Sequence, residues 1–225
     1  MDDLTKFLPK RPPSNINLNG RFVDLKTVDW EVHGPALAHS ITGAENAHLW
    51  TFVPIGPFDD LSSLKTVMSY VGTQLNWETL AIISKTSGRA LGTASYMRLR
   101  PEHGSAEVGC VIFGEALQKT KEATEAMFLM AKHIFDDLGY RRYEWKCDNG
   151  NDASKRAAER LGFEFEGVFR QDIVMKGKNR DTAWHSIIDK DWPRVKSGFE
   201  GWLAESNFLE DGNQISSLAQ CRGKG

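Results

Sequence analysis

Cationic and small side chains converge at one junction in this sequence. The apolar run Ala106 to Phe113 (AEVGCVIF) gives way to GEALQKTK and then to a helical pattern. A strand that ends in a loop and feeds a helix N-terminus presents unpaired backbone N–H groups and the positive end of a helix dipole, and a diphosphate binds there without special side chains. Lys119 and Lys121 add charge at that mouth, and Ala123, Thr124 and Ala126 let a ligand approach the first turn. Any chain that alternates strands and helices has such junctions, so this one gains meaning only from its surroundings. His48, two residues before Trp50, is a candidate base because imidazole exchanges protons near neutral pH. Phe52 and Phe58 complete that aromatic stretch, which packs a loop equally well. The remaining histidines do not cluster: His33 and His39 are neither three nor four residues apart. Cys110, Cys147 and Cys221 are odd in number and form no CxxC. No metal site and no disulfide framework are expected, and a reducing, cytoplasmic compartment fits.

The elements that must position these groups follow from periodicity. Residues 1–19, with Pro9, Pro12 and Pro13, read as an extended arm. A strand over 21–28 and a helix over 30–41, interrupted at Gly34-Pro35, come next. A second helix spans 59–75, with Asp60 or Ser62 as its cap and Leu61, Leu64, Met68 and Val71 at helical spacing. Strands over 79–84, 90–98 and 106–113 form a meander, and the last is apolar enough to sit centrally. The following helix carries Ala123, Met127, Met130, Ile134 and Leu138 on one stripe and stops at Gly139. A strand over 142–147, a short helix over 151–161, strands over 163–175 and 182–188, and a helix over 191–203 complete the order. Trp145 and Cys147 alternate toward one face and read as core. Residues 205–225 read as a polar, flexible tail. The result is one α/β domain over 20–204. Its central sheet is mixed and mostly antiparallel, with six to seven strands flanked by helices and a strand–helix–strand crossover in the middle.

Composition excludes some functions. The 225 residues carry a formal charge of −2 with both signs spread along the chain, so no basic face for nucleic acid is expected. No apolar run approaches the ~20 residues of a membrane helix, and the polar start MDDLTKFLPK has no signal-peptide pattern.

From Ala106 onward the chain resembles the GNAT acetyltransferases, specifically their RimJ/RimL-like branch. The resemblance rests on EVGCVIF and ALQKTKEATEAM, on LGYRRYEWKCDNGNDASKRAAERLGFEFEGVFRQ, and on NRDTAWHSIID. The branch marker N-x-x-S-x-x-x-x-x-x-L-G-F has its key residues here at Asn151, Ser154, Leu161, Gly162 and Phe163. The likeness implies the GNAT fold and transfer of acetyl from acetyl-CoA to an amine acceptor, without metal, nucleic acid or membrane as partner. Relatives are often homodimers. The acceptor it suggests is a small or aminoacyl-type primary amine; the alternatives are a protein N-terminus, as in ribosomal-protein acetylators, or a CoA-binding sensor with weak activity.

The resemblance also assigns residues. It places CoA along Val111, Ile112 and Phe113, at Gln118, Lys119, Thr120, Lys121, Ala123 and Thr124, and against Asn151 and Ser154. Asn151 would hydrogen-bond the pantetheine arm, and Ser154 would protonate the leaving thiolate. On the residues alone, Asn151 or Asp152 simply caps the short helix. The family's pyrophosphate loop, Q/R-x-x-G-x-G/A, reads Gln118 to Ala123 here, with Lys121 where a glycine is usual. Lysine tolerates φ > 0 poorly, so either Lys121 is helical or the loop grips differently. Glu107 is the first candidate base, its side chain expected opposite Val108 and Cys110; an ion pair with Arg98 or Arg100 is the competing role. The RimL-like position for a base falls on Ile173, with Asp172 beside it. His48, Trp50 and Phe52 are expected to wall the acceptor pocket, with Trp184, next to His185, closing it.

Overall fold

The computed structural model describes residues 3–223. Its eight strands are β1 (Asn17–Asn19), β2 (Val23–Thr27), β3 (Glu78–Ser84), β4 (Ala90–Arg100), β5 (Ser105–Phe113), β6 (Arg142–Asp148), β7 (Glu164–Met175) and β8 (Lys178–Ile188). They form one sheet in the order β1-β2-β3-β4-β5-β6-β8-β7. Every pairing is antiparallel except β5 with β6. The helices are α1 (Gly34–Ile41), α2 (Leu61–Leu75), α3 (Lys121–Lys132), α4 (Asp152–Leu161), α5 (Trp192–Leu203) and α6 (Leu218–Arg222). The sheet has one strand more than expected because residues 17–19 of the arm pair with β2.

The helices divide between the two faces. The stripe of α3 packs with Trp192, Val195, Phe199 and Trp202 of α5, and with Ala158 and Leu161 of α4, against Ala106, Val108, Tyr143 and Trp145. On the other face, Leu37 and Ile41 of α1 and Leu64, Met68 and Val71 of α2 pack over Ala81, Ala90 and Ile112. Gly34-Pro35 starts α1 rather than interrupting it, as suits proline in a first turn. Asp60 caps α2 by accepting from Ser63 N–H in a capping box. Glu125, buried on α3, accepts from the N–H groups of Arg21, Phe22 and Val23 at 2.8, 2.6 and 2.9 Å, and so fastens the start of β2 to the helix layer.

Two irregularities in β5 prepare the site. Its pairing with β6 runs only from Ser105↔Arg142 to Val108↔Trp145, after which the strands part. Its pairing with β4 slips between Ser95↔Gly109 and Thr93↔Ile112, where Cys110 takes φ +46. The extra residue of a bulge reverses the alternation beyond it. Ala106 and Val108 face the α3 side, and after the bulge so do Val111 and Phe113. Cys110 therefore shares the α1–α2 face with Ile112, the face that Glu107 and Gly109 also occupy beside Met97. The expectation that Glu107 points away from Cys110 is corrected by this slip.

Residues 205–223 also depart from expectation. Instead of a loose tail they carry α6, capped by Ser217, with Leu218 and Arg222 buried. Gly198 of α5 lies so close to Arg222 that a Cβ there would sit 2.1 Å from its Cγ. Arg222 donates to the carbonyls of Glu159 and Arg160 at the end of α4.

Candidate active site

Where β5 and β6 part, two cavities of about 500 and 670 Å³ open. Both are lined by Leu49, Val111, Phe113, Trp145, Ala153 and Ala157, so they meet at the gap in the sheet. Past Val108 the β6-facing backbone groups of β5 have no ladder partner, and a backbone N–H left in this state is a donor for an incoming ligand.

The larger cavity lies against the N-terminus of α3. Gln118, Lys119, Thr120, Ala123 and Thr124 line it, with Ile112. Thr120 is the N-cap, its hydroxyl accepting from Ala123 N–H at 3.1 Å. The first hydrogen bond of the helix runs from Thr124 N–H to Thr120 O, so the N–H groups of Lys121 and Glu122 have no partner within it. Lys121 is helical, which answers the question of the missing glycine. The left-handed conformation falls two residues earlier, on Lys119 at φ +61. Lys121 itself is corrected as a lining residue: its ammonium sits 3.5 Å over the ring of Phe208, on the packed tail. Arg160 supplies the inward charge instead. It donates to Thr124 Oγ1 at 3.2 Å, stacks on Trp202 and has no carboxylate partner among the described residues. Trp202 and Gln214, hydrogen-bonded to each other at 2.7 Å, close the wall.

The smaller cavity opens on the α1–α2 side of the gap. Asn151 and Ser154 line it from α4. Asn151 is the N-cap, its side-chain oxygen accepting from Ser154 N–H at 3.1 Å, which leaves its amide N–H₂ free to donate. Trp145 Nε1–H donates to Ser154 Oγ at 3.0 Å. A hydroxyl that accepts there turns its own proton elsewhere, and the Cys147 thiol is a second neighbour. Trp145 and Cys147 thus line the cavity while remaining buried.

Glu107 faces the same cavity and is only 4% exposed. Its carboxylate lies 2.8 Å from Lys146 Nζ and 3.6 Å from Arg98 Nε. Burial pushes its pKa above the usual carboxylate range, opposed by the Lys146 and Arg98 cations. Arg100 pairs with Glu144 instead, at 2.5 Å, in a separate network with Arg142 and Glu166. Trp184 lines the cavity beneath Lys146 and Arg98, 4.8 and 5.3 Å from its ring. Asp172 and Ile173 both reach it, because β7 slips register between Phe169 and Ile173 around Gln171 at φ +51.

The aromatic wall is only partly as expected. Phe52 lines the smaller cavity with Leu49, Val53 and Pro54. Trp50 is corrected to core: it is fully buried, donates to Ile41 O at 2.8 Å and meets Phe58 edge-on. His48 is exposed, bonded to Glu45 O, and lines neither cavity. Residues 44–50 form a 3-10 helix, and its turn aims Leu49 where His48 was expected. Several site residues had escaped the sequence reading, and some carried a signal. Ala153, Ala157, Arg160 and Leu161 recur at helical spacing with Ser154. Arg180 and Thr182 share a strand face with Trp184. Arg98 was expected only as an ion-pair partner for Glu107; its place in the cavity had no signal, since it gets there through a bulge at φ +43.

Among the described residues no helix is long and apolar enough to cross a membrane, and no group of three His, Cys, Asp or Glu side chains is placed to hold a metal. The sequence profile of the acetyltransferase (GNAT) domain matches residues 31–164. A GCN5-related N-acetyltransferase from Brucella melitensis superposes with TM-score 0.93 at 37% identity, over 98% of this chain and 100% of that one. A probable GNAT-family acetyltransferase from Chromobacterium violaceum gives TM-score 0.79 at 37% identity, over 86% and 96%. The uncharacterized N-acetyltransferase YoaA of Bacillus subtilis (strain 168) is 32% identical over 98 residues, 44% of this chain. That match spans about half of YoaA, 55% of its length.

Proposed function

The chain belongs to the GNAT acetyltransferase family, and from that premise we propose that it is an acetyl-CoA-dependent N-acetyltransferase whose acceptor is a primary amine on a small molecule. The observation that carries this reading is the pair of cavities meeting at the parted strands. A thioester in the larger one can reach an amine in the smaller one only through that gap.

The residues fit acetyl-CoA. The N-terminus of α3 offers N–H groups and dipole to the diphosphate, and Arg160 adds charge without a competing carboxylate. The open edge of β5 suits the amide-rich pantetheine arm and offers a donor to the oxyanion that develops during attack. Glu107 draws the proton from the acceptor nitrogen, directly or through water. The N–C bond forms as the C–S bond breaks, and Ser154 gives its proton to the departing thiolate. Transfer is direct. The nearby thiols are poor nucleophiles, burial pushing Cys110 up to about 12 and raising Cys147, and a protonated thiol does not attack. A reducing, cytoplasmic setting suits the free cysteines.

The test is CoA release from acetyl-CoA over a panel of primary amines, with product identified by mass. Amine-dependent release matched by N-acetyl product is expected. Tight acetyl-CoA binding with no amine-dependent release would make the protein a CoA sensor instead.

A further inference from the structure

Charge around the smaller cavity runs against its expected guest. An amine reaches the site mainly as an ammonium ion, yet three cations line the walls, Arg98, Lys146 and Arg180, against two carboxylates, Glu107 and Asp172. Glu107 is shared between Lys146 and Arg98. Arg180 has no carboxylate partner among the described residues. Its Nε–H donates to Thr182 Oγ1 at 3.2 Å and its Nη1 lies 3.6 Å from Met175 Sδ, which leaves most of its donor fork unused. Arg180, Thr182 and Trp184 alternate onto one face of β8, so the guanidinium stands in line with the ring that floors the cavity. Arg98 reaches the same space through a left-handed residue in a bulge, a conformation that persists only where surroundings impose it. A bare ammonium would meet net repulsion here, whereas a molecule that also carries an anion would not.

We propose that the acceptor is a small amine bearing a carboxylate or phosphate group, which Arg180 and Arg98 hold while the nitrogen faces Glu107. This rests on the acetyl-transfer reading above. A guanidinium fork matches both anions bidentately, and about 500 Å³ accommodates a small molecule. The same charges select against a basic peptide.

The experiment compares kcat/KM for matched pairs in a phosphate-free buffer: amino acids against their carboxamides, and aminoalkyl phosphates against aminoalkanols. The anionic member is expected to be favoured by at least ~10-fold, and the pair with the larger ratio identifies the anion. In Arg180→Met the ratio should fall to within about threefold, with Arg180→Lys recovering part of it, since the point charge survives without the fork. Arg98→Met serves as a second variant should Arg180→Met lose its native circular dichroism. Ratios near one in the wild type, or a ratio unchanged in folded Arg180→Met, overturn the proposal. If no amine of any kind is acetylated, the transfer reading falls. The anion site is then judged by calorimetric binding of the same pairs to the CoA-loaded protein. Tighter binding of the acids that is lost in Arg180→Met sustains it, and equal binding sinks it.

Discussion

Glu107 and Ser154 approach the gap between β5 and β6 from different layers, and the roles proposed for them separate in kinetics. Ser154→Ala should lower kcat by roughly 10²-fold, the low end of general acid–base effects, with little change in KM for acetyl-CoA; steady-state kinetics at neutral pH checks this, and wild-type kcat would eliminate the acid role. Glu107 acts as a base only when ionised. Burial raises its pKa, so kcat/KM should climb with pH through a value above the ordinary carboxylate range, and Glu107→Gln should remove that climb. Lys146 holds the pKa down from 2.8 Å. Lys146→Met should therefore move the climb to higher pH without abolishing it, a displacement visible in the pH profile that simple loss of structure does not produce.

At the scale of elements, what the sequence disclosed and what it hid divide along a physical line. Helices and strands announce themselves through periodic burial: the α3 stripe and the capped start of α2 were legible, whereas Asn151 and Ser154 came from the family resemblance, the residues alone giving only a helix cap. Bulges have no such signature. Arg98, Cys110 and Gln171 adopt positive φ in strands otherwise rich in ordinary residues, and no glycine marks them. The direction of Glu107 relative to Cys110, and the joint arrival of Asp172 and Ile173 at the cavity, depend on these slips. Trp50 misled because an aromatic at a pocket and an aromatic in a core look alike in sequence. Glu125 is the clearest long-range device that patterning did not show. Glu125→Ala leaves three backbone N–H groups without their acceptor and should cost about 3 kcal/mol, measured by denaturant unfolding, with hydrogen exchange quickening first at Arg21, Phe22 and Val23.

Across the whole molecule, the least expected result is that the C-terminal segment helps to build the wall of the larger cavity. Polar composition suggested a loose end, yet Gln214 bonds Trp202, Phe208 lies under Lys121, and Arg222 holds the end of α4. Gly198→Val should prise α6 away, lowering stability by about 1–3 kcal/mol as overpacking does and raising KM for acetyl-CoA while kcat stays near wild type. A fall in kcat alone, with KM unmoved, would detach the tail from cofactor binding.

The slip at Cys110 divides β5 into two stretches with different neighbours. Upstream of it, on the proposed reading, Glu107 faces the incoming amine. Downstream, Val111 and Phe113 line both cavities, at the gap where the two proposed substrates would meet. The bulge is a change of phase between the two: it puts Glu107 and Cys110 on one face while Val111 and Phe113 stay on the α3 side. Deleting Cys110 alone would take out the extra residue, draw Val111 opposite Ala94 and leave Val111, Ile112 and Phe113 on the faces they already hold.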